Sequence, residues 1–448
     1  MMRAPLGEAG LVCGRFDVHE LFYSIRGKEK IAVAVSGGSD SLALLLMLVD
    51  WAGEHKIHLH CLTVDHGLRA ASRDEAVMVA SCCAELGVAH DILTWDGEKP
   101  TTGLSNAARD ARYELMAERC LDLGISHLVL GHQSDDQAET LMMRLSRSDQ
   151  GGRGLAGMPL KTEYYSKVDG KISLHRPLLD LAREDLQGYL SQRSVKWVSD
   201  PTNDNTAYER VRTRLILASN AVLRDQLLSY ANVSARYRTA MSHEVAHFIA
   251  HYVSNIRFGG LSMDQPALKA LPKPVATVVL QTLLSVVGGR DYLSSTMDVH
   301  RVLENIGGQT LARVHIHREG GRIYLTREVR NLPDAVKLGD GAISWDKRFS
   351  IQTSRSNAEI VSGHDLDAET VSNLTEEIQP PLSKIEKIAL QSSPFLLFSQ
   401  KGKIKAVPCL GQTDSKFMSV SPLLGGFQRF CGAFDRPIRR ALEALLTK

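Results

Sequence analysis

The chain has 448 residues, of which 44% are hydrophobic and 23% charged, an ordinary globular composition with enough length for about three domains. The longest uninterrupted apolar run, residues 42–49, is too short to span a bilayer, and no secretory leader pattern is present, so we expect a cytoplasmic protein with no membrane partner. A formal net charge of +2 excludes a basic coat, so any nucleic-acid surface must be local.

The cysteine pattern indicates neither a metal centre nor a disulfide framework. None of the seven cysteines belongs to a Cys-x-x-Cys pair. Cys82 and Cys83 are neighbours on a predicted helix, where they cannot chelate one ion together. We therefore expect reduced, structural thiols.

The first clear element is residues 30–47, where an apolar, β-branched run ends in Ser-Gly-Gly-Ser-Asp-Ser and continues as an apolar helical run. This order predicts a strand, a glycine turn and a helix. Glycine lets the backbone turn sharply and approach a ligand, while the new helix points free N–H groups into the same space. The turn is therefore suited to phosphate, although no Gly-Lys-Ser/Thr follows as in a Walker A loop.

This turn gives the first predicted site. Loop amides and serine hydroxyls can hydrogen-bond a pyrophosphate, and a carboxylate can ligate a phosphate-bound Mg²⁺. The alternative is an ordinary strand-to-helix turn with a capping serine. The residues assigned to the nucleotide are Ser36, Gly37, Gly38, Ser39, Asp40 and Ser41, with Asp40 as the metal ligand.

The pattern of strand then helix repeats three more times, at residues 57–64 and 74–86, 89–95 and 105–123, and 127–130 and 135–145. Such alternation predicts an α/β fold with a doubly wound parallel sheet. Ligands bind beyond the carboxyl ends of the strands in these sheets. The polar clusters at residues 36–41, 65–67 and 131–139 follow strands, and we expect them to meet in one crevice.

The rest of the chain changes character twice. A glycine-rich loop at residues 151–157 is a candidate lid over the crevice.

Arginines at 210, 212 and 214 precede a long helical tract, residues 215–253, that indicates a separate helical module. Hairpin patterns follow around Gly320-Gly321, at 342–353 and at 395–407, and residues 435–446 predict a final amphipathic helix.

The first half of the chain contains several short motifs in a fixed order. Residues 31–217 contain SGGSDS, VDHGLR, AARDARY, GHQSDDQAET, GLAGM, RPLL and WVSDPTN, followed by Arg210-Val211-Arg212. In this set the chain resembles the tRNA(Ile)-lysidine synthetases, members of the N-type ATP pyrophosphatase (PP-loop) group. It departs from them at Gln133, where His or Asn is usual, and at residues 147–151, where the usual Arg-Gly-Ser-Gly is one residue longer.

The resemblance implies a fold and a domain order. It implies an adenine nucleotide alpha hydrolase-like adenylation domain at residues 1–217, a mostly helical tRNA-binding domain at 218–332, and a small α+β tRNA-binding domain at 341–448. It further implies ligation of lysine to C2 of cytidine 34 in a CAU-anticodon tRNA(Ile), through an adenylated cytidine. ATP and Mg²⁺ are the implied cofactors, and L-lysine and tRNA(Ile) the implied partners; whether the protein is a homodimer stays open.

The resemblance also implies catalytic roles for charged residues. Asp136 and Glu139 are three residues apart, so they share one helix face and can bind metal or the lysine ammonium group, the alternative being complementation of the helix dipole. Arg112, in preference to Arg109, neutralises charge on the α-phosphate, unless it pairs with a helix carboxylate. His132 positions a phosphate or accepts a proton from the amine, unless it is a structural histidine.

The remaining site residues contact the two larger ligands. Asp65 and His66 contact the adenosine, or else only stabilise their loop. Arg210, Arg212 and Arg214 contact the tRNA phosphates, or else form a solvated helix start. A splayed anticodon base must enter the crevice for its sequence to be read.

Two other functions stay open. A tRNA-thiolating enzyme of the same group also adenylates a base, but it needs reactive cysteines near the crevice, and the cysteines here are scattered. A catalytically silent RNA-binding module would be expected to have lost Asp40, Asp136 or Glu139, and all three are present.

Overall fold

The computed structural model describes residues 12–13, 16–68, 70–146, 152–167, 170–198, 206–338, 341–354, 358–400, 403–410, 418–428 and 430–447. The chain separates into two compact units. The first comprises residues 1–238 and 429–434, and the second comprises residues 239–428 and 435–448. Among the described residues, no helix combines the length and the apolar character that crossing a membrane requires.

Helices and strands alternate in the first unit and are more segregated in the second. The α-helices of the described residues are α1 (Val18–Leu21), α2 (Ser39–His55), α3 (Ala70–Glu85), α4 (Leu104–Asp122), α5 (Ser134–Ser146), α6 (Arg183–Gln192), α7 (Glu209–Ala218), α8 (Ala221–Tyr252), α9 (Gln265–Ala270), α10 (Lys273–Val287), α11 (Thr296–Glu304), α12 (Ala368–Glu377), α13 (Lys384–Gln391) and α14 (Arg436–Leu446). The strands are β1 (Val12–Cys13), β2 (Phe16–Asp17), β3 (Lys30–Ala34), β4 (His58–Asp65), β5 (Ala89–Thr94), β6 (His127–Val129), β7 (Lys161–Tyr165), β8 (Lys171–His175), β9 (Val253–Ile256), β10 (Gly260–Asp264), β11 (Gln309–Leu311), β12 (Val314–Glu319), β13 (Arg322–Arg327), β14 (Val336–Lys337), β15 (Ile343–Trp345), β16 (Phe349–Thr353), β17 (Glu359–Ser362), β18 (Pro394–Gln400), β19 (Lys403–Pro408), β20 (Met418–Pro422) and β21 (Phe430–Gly432).

The first unit is built on a seven-stranded sheet in the order β21-β7-β8-β6-β3-β4-β5. Strands β3, β4, β5, β6 and β8 are parallel, which confirms the predicted doubly wound α/β sheet. Strands β7 and β21 extend one edge in antiparallel orientation. The sequence pattern does not predict that β21 belongs to this sheet, because β21 is separated from β7 by more than 250 residues of the chain.

Strand β3 is buried on both faces. Ile31 and Val33 pack in one hydrophobic cluster with Trp51 of α2, whereas Ala32 packs on the other face with Tyr113 of α4. Continuous apolar sequence is what a parallel strand between two helical layers requires. Polar residues are therefore excluded from β3 itself and begin where the strand ends, which places the glycine turn at the carboxyl end of β3.

The second unit contains antiparallel sheets and helices. One five-stranded sheet has the order β11-β12-β13-β10-β9, and α10, buried along most of its length, contributes to the same core. Two smaller sheets have the orders β14-β17-β18-β19 and β15-β16-β20. The hairpin predicted around Gly320-Gly321 is confirmed by pairing of Glu319 with Arg322. The predicted domain boundaries, at residues 217 and 341, stay predictions.

The long helical tract predicted for residues 215–253 is interrupted. Helix α7 ends at Ala218 and α8 begins at Ala221. The Asn220 side-chain oxygen accepts a hydrogen bond from the Leu223 N–H at 3.0 Å, as an N-cap does. Apolar periodicity continues through the break, so periodicity alone did not detect it.

A charged cluster lies inside the second unit. Asp346 accepts hydrogen bonds from Arg327 through both of its oxygens, each at 3.0 Å, and from Arg348 Nε at 2.6 Å. The three side chains are at most 2% exposed. Asp346 is thus the carboxylate that compensates two desolvated guanidinium groups.

We predict that Asp346→Asn lowers the free energy of unfolding by about 3–5 kcal/mol, because it leaves two buried guanidinium groups without a countercharge. Urea denaturation followed by tryptophan fluorescence measures this change. The matched control is Asp291→Asn, which breaks an exposed pair with Lys347 and should cost less than about 1 kcal/mol. Equal losses in the two variants would contradict the prediction.

Candidate active site

A cavity of about 820 Å³ lies in the first unit beyond the carboxyl ends of β3, β4 and β6. The turn after β3, the residues around His66 after β4, and Gly131 with His132 after β6 all contribute to its wall. The crevice expected from the strand order is therefore present, and it brings the separate polar clusters together.

The glycine turn has the backbone that its sequence requires. Gly37 has a φ of +86°, and a Cβ there would lie 3.1 Å from Met78 Cε of α3. The Gly37 carbonyl accepts a hydrogen bond from the Val198 N–H at 3.1 Å, which ties the WVSDPTN segment to the turn. The rest of that motif, residues 199–203, lies outside the described residues, as does the 147–151 departure.

The serines of the turn differ in function. Ser41 Oγ accepts from the Ser36 N–H at 3.1 Å and donates to the Gly38 carbonyl at 3.0 Å, so it holds the turn closed. Ser39 Oγ donates to Asp40 Oδ1 at 2.9 Å. Ser39 and Ser41 are buried, whereas the Ser36 side chain is exposed, with its Oγ 3.3 Å from Ser41 Oγ. Ser36 and the loop amides are thus best placed to meet an anion.

Asp40 has a partner that the sequence analysis missed. Arg183, the first residue of α6, has its Nε 3.6 Å from Asp40 Oδ2, and both residues line the cavity. An arginine at a helix N-terminus is unfavourable because its charge opposes the helix dipole, so its presence there suggests that a carboxylate compensates it. The position of Arg183 can be read from the sequence, but the identity of its partner, Asp40, cannot.

Asp136 and Glu139 of α5 meet two of the arginines predicted to bind tRNA. Arg210 of α7 donates from Nη2 to Asp136 Oδ1 at 2.5 Å and from Nε to Glu139 Oε2 at 2.6 Å. Arg214 Nε donates to Glu139 Oε1 at 2.8 Å. Glu139 is fully buried, so this network joins α5 to α7 on the wall of the cavity.

Arg212 lies apart from its two neighbours. Its side chain is exposed and donates to the carbonyls of Thr206 and Ala207 at 2.7 and 2.9 Å. A spacing of two residues puts Arg212 on the opposite side of α7 from Arg210 and Arg214. The three arginines therefore do not form one surface.

Positive charge surrounds His132. Burial, and then the charges of Arg176, Arg112, Arg109 and Arg210, lower the pKa of His132 well below its usual value. Its Nδ1 atom is buried and has no hydrogen-bond partner in the described part of the chain. His132 is therefore a neutral imidazole at neutral pH.

Arg112 is desolvated without a countercharge. It lies over the ring of Tyr113, as Arg109 also does, and burial lowers the pKa of its guanidinium. Neither arginine forms an ion pair with a carboxylate among the described residues, so the helix ion pair considered as the alternative for Arg112 is absent there. A desolvated cation without a partner favours an anionic ligand.

Asp65 and His66 have different surroundings. Asp65 Oδ1 accepts from the Gly67 N–H at 2.9 Å and from Ser72 Oγ at 2.6 Å; these hydrogen bonds lower the pKa of Asp65. This carboxylate stabilises its loop. His66 lines the cavity beside Trp95, and its buried Nδ1 has no partner in the described residues.

The glycine-rich loop that the sequence marked as a candidate lid is attached to α5. Gln137 and Met158 exchange two hydrogen bonds, at 2.8 and 2.6 Å, and Arg144 donates to the Gly154 carbonyl at 2.6 Å. A Cβ at Gly157 would lie 2.7 Å from Gln137 Oε1. The helix that carries Asp136 and Glu139 therefore also holds this loop.

The cavity combines a cationic wall with hard oxygen donors. Among its described lining residues are five arginines, Arg109, Arg112, Arg183, Arg210 and Arg214, and three carboxylates, Asp40, Glu75 and Asp136. Burial raises the pKa of Asp136, and the negative charge of Asp40 contributes to this increase, so the two carboxylates are electrostatic neighbours. Carboxylate oxygens of this kind fit Mg²⁺, and the surplus of arginines fits an anion such as a polyphosphate.

Comparisons with known proteins match this architecture. A PP-loop domain matches residues 15–220. The chain is 37% identical to the tRNA(Ile)-lysidine synthase of Mesorhizobium japonicum over 442 residues, 95% of this chain and 94% of that protein. It is 37% identical to that of Rhizobium meliloti over 72% of this chain and 73% of the relative, and 36% identical to that of Brucella ovis over 94% and 95%.

We predict that Gly37→Ala lowers stability by about 1–2 kcal/mol, because an alanine is strained at this φ and its methyl group meets Met78. The matched control is Gly38→Ala, where φ is −74° and the new Cβ is 3.8 Å from its nearest neighbour, Ser36 Oγ. Thermal unfolding of the ligand-free protein should show a clear loss only for Gly37→Ala. A loss of the same size in Gly38→Ala would contradict the assigned turn geometry.

Proposed function

This chain belongs to the tRNA(Ile)-lysidine synthase family, and on that basis we propose that it ligates lysine to C2 of cytidine 34 in a tRNA(Ile) with a CAU anticodon, using ATP. The product reads AUA instead of AUG. AMP and pyrophosphate are released. The enzyme is thus an ATP-dependent ligase that forms a carbon–nitrogen bond.

One structural observation supports this proposal most directly. The glycine turn after β3 and the desolvated Arg112, which has no carboxylate partner among the described residues, line the same cavity. An adenylating enzyme needs both a phosphate-binding turn and a guanidinium without a countercharge in its site, because the α-phosphate gains negative charge as it is attacked.

In the first step the C2 oxygen of the cytidine attacks the α-phosphate of ATP and pyrophosphate leaves. We assign the Ser36 hydroxyl and the amides of the turn to the leaving pyrophosphate, and Arg112 to the α-phosphate. His66, which lines the cavity after β4, is assigned to the adenosine. Asp65 holds the loop that carries His66, through Gly67 and Ser72.

We assign Mg²⁺ to Asp40. The Asp40 carboxylate belongs to the turn itself and lines the cavity. When bound, the ion supplies charge neutralisation for the phosphates. Arg183 neutralises part of the Asp40 charge, and Ser39 fixes the rotamer of this carboxylate through its 2.9 Å hydrogen bond.

In the second step the ε-amine of lysine attacks C2 and AMP leaves with the oxygen. The attacking amine must lose a proton, and we assign its acceptance to His132, whose low pKa keeps the ring neutral and whose Nδ1 has no partner in the described residues. Asp136, which lines the cavity, is the proposed anchor for the lysine ammonium before the proton leaves. Glu139, whose two oxygens accept from Arg210 and Arg214, holds these arginines on the cavity wall.

We propose that tRNA contacts extend beyond this cavity. Arg212 is exposed on α7 and is suited to a backbone phosphate, whereas Arg210 and Arg214 line the cavity and are suited to the nucleotide that enters it. We further propose tRNA-binding roles for residues 218–332 and 341–448.

The two other functions considered from the sequence receive less support. A thiolating enzyme needs a reactive cysteine at the site, but among the described residues no cysteine lines the cavity, and Cys61, Cys82, Cys83, Cys120, Cys409 and Cys431 are buried. A silent RNA-binding module has no need for the retained Asp40, Asp136 and Glu139, which lie in or beside the cavity.

The transfer of labelled lysine tests the proposed function. With ATP, Mg²⁺ and a CAU-anticodon tRNA(Ile), the protein should attach label to the tRNA and release AMP and pyrophosphate. Asp40→Ala should abolish transfer but retain tRNA binding in a gel-shift assay, because Asp40 acts on the nucleotide. Folded protein that transfers no lysine would refute the proposal, and loss of tRNA binding in Asp40→Ala would give Asp40 a structural role instead.

Two arginines at opposite ends of α6, Arg183 at its start and Arg193 directly after it, separate a nucleotide role from a structural one. Arg183 pairs with Asp40 inside the cavity, whereas Arg193, ten residues later, pairs with Asp50 at 2.6 Å outside it. We predict that Arg183→Gln raises the KM for ATP about tenfold, because it removes the cation that holds the Asp40 carboxylate in position for the phosphate-bound Mg²⁺. The measurement is pyrophosphate release in the presence of tRNA.

Arg193→Gln is the matched control for this experiment. It should leave the KM for ATP unchanged but lower the melting temperature, because Asp50 is only 6% exposed and would lose its countercharge. An unchanged KM in Arg183→Gln would remove Arg183 from the nucleotide site.

A further inference from the structure

Two cysteines and a histidine converge in the first unit, away from the candidate active site. The Cys61 and Cys83 sulfur atoms and a ring nitrogen of His90 all lie within 4.8 Å of one another. Cys61 and Cys83 are 0% exposed, and His90 is partly exposed. None of the three lines the active-site cavity, and the proposed reaction uses none of them.

The fold brings these residues together from three elements. Cys61 of β4 and His90 of β5 are register partners in the parallel ladder, so their side chains emerge side by side on one face of the sheet. Helix α3 packs over that face and contributes Cys83. Residues that are 22 and 29 positions from Cys61 in the sequence thereby become neighbours, with no Cys-x-x-Cys spacing to signal the site.

The donor set has the chemistry of a thiophilic cation site. Zn²⁺ binds cysteine sulfur at about 2.3 Å and histidine nitrogen at about 2.0–2.1 Å, so sulfur ligands in a tetrahedral site are about 3.8 Å apart. The observed cluster needs only a small contraction to meet this requirement. Mg²⁺ prefers oxygen ligands, so the cluster is chemically distinct from the oxygen donors of Asp40 and Asp136.

The surroundings of the cluster also suit a metal. His90 Nε2 is 2.9 Å from Thr63 Oγ1, and such a contact to the imidazole orients the ring as outer-shell partners of ligating histidines do. Binding would release the thiol protons in exchange for the ion.

We propose that Cys61, Cys83 and His90 form a binding site for a thiophilic divalent cation of the zinc type, with water as the fourth ligand. The ion would connect α3 to β4 and β5. Helix α3 also provides Glu75 and Ala76 to the active-site cavity and places Met78 against Gly37. The site would therefore stabilise the helix that supports the glycine turn, and it does not depend on the proposed reaction.

Cadmium titration tests this proposal, because Cd²⁺ bound to thiolates absorbs in the ultraviolet whereas free Cd²⁺ does not. The reduced, full-length protein, stripped with a chelator, should bind one equivalent of Cd²⁺ with thiolate absorption and should melt at a higher temperature with Zn²⁺. Mg²⁺ should produce neither effect. Equilibrium dialysis with metal analysis gives the stoichiometry independently of absorption.

Variants locate the ion. Cys83→Ala and His90→Gln should each lose the absorption and the Zn²⁺-dependent rise in melting temperature, while circular dichroism shows that they are folded. Cys120→Ala, which removes another buried thiol outside the cluster, should bind like the unmodified protein. Binding that survives in Cys83→Ala, or no bound Cd²⁺ in the unmodified protein, would overturn the proposal. Lysine transfer is measured separately, so neither result depends on the other.

Discussion

The burial of β3 between two helical layers is the constraint on which the candidate site depends. Because Ile31 and Val33 pack on one face and Ala32 on the other, the strand can carry no functional polar group along its length. Polar chemistry is therefore displaced to the strand end, where Gly37 turns the chain and α2 begins. Gly131, which follows β6, lies close to the start of α2, because a Cβ at this position would be 3.2 Å from Ser41 Cα. This close contact places His132, the next residue, beside the same turn.

Electrostatics gives this crevice its specificity. Arginines outnumber carboxylates among its described lining residues, and the arginines fall into two groups. Arg183, Arg210 and Arg214 are paired with Asp40, Asp136 and Glu139, which holds α2, α5, α6 and α7 together around the cavity. Arg109 and Arg112 have no such partner in the described residues, and it is this unbalanced charge that favours a polyphosphate over a neutral ligand.

The same first unit carries two chemically separate sets of ligands. Carboxylate oxygens lie at the carboxyl ends of the strands, whereas sulfur and imidazole groups meet in the middle of β4 and near the start of β5, under α3. Hard and soft donors are therefore segregated, so Mg²⁺ and a thiophilic cation would not compete for one site. Helix α3 contacts both regions, because Glu75 and Ala76 line the cavity and Cys83 belongs to the sulfur and imidazole cluster.

The sequence by itself determined the α/β class, the parallel strands, the glycine turn and the family resemblance, because alternation, buried apolar runs and fixed motifs are local properties. It also named Asp40, Arg112, His132, Asp136 and Glu139. Only the tertiary structure decided which charges meet: that Asp40 faces Arg183, that Arg210 and Arg214 turn inward to Glu139 while Arg212 stays exposed, and that Cys61 joins Cys83 and His90. These pairings depend on strand order and helix packing, which bring distant residues together, and no local pattern records them.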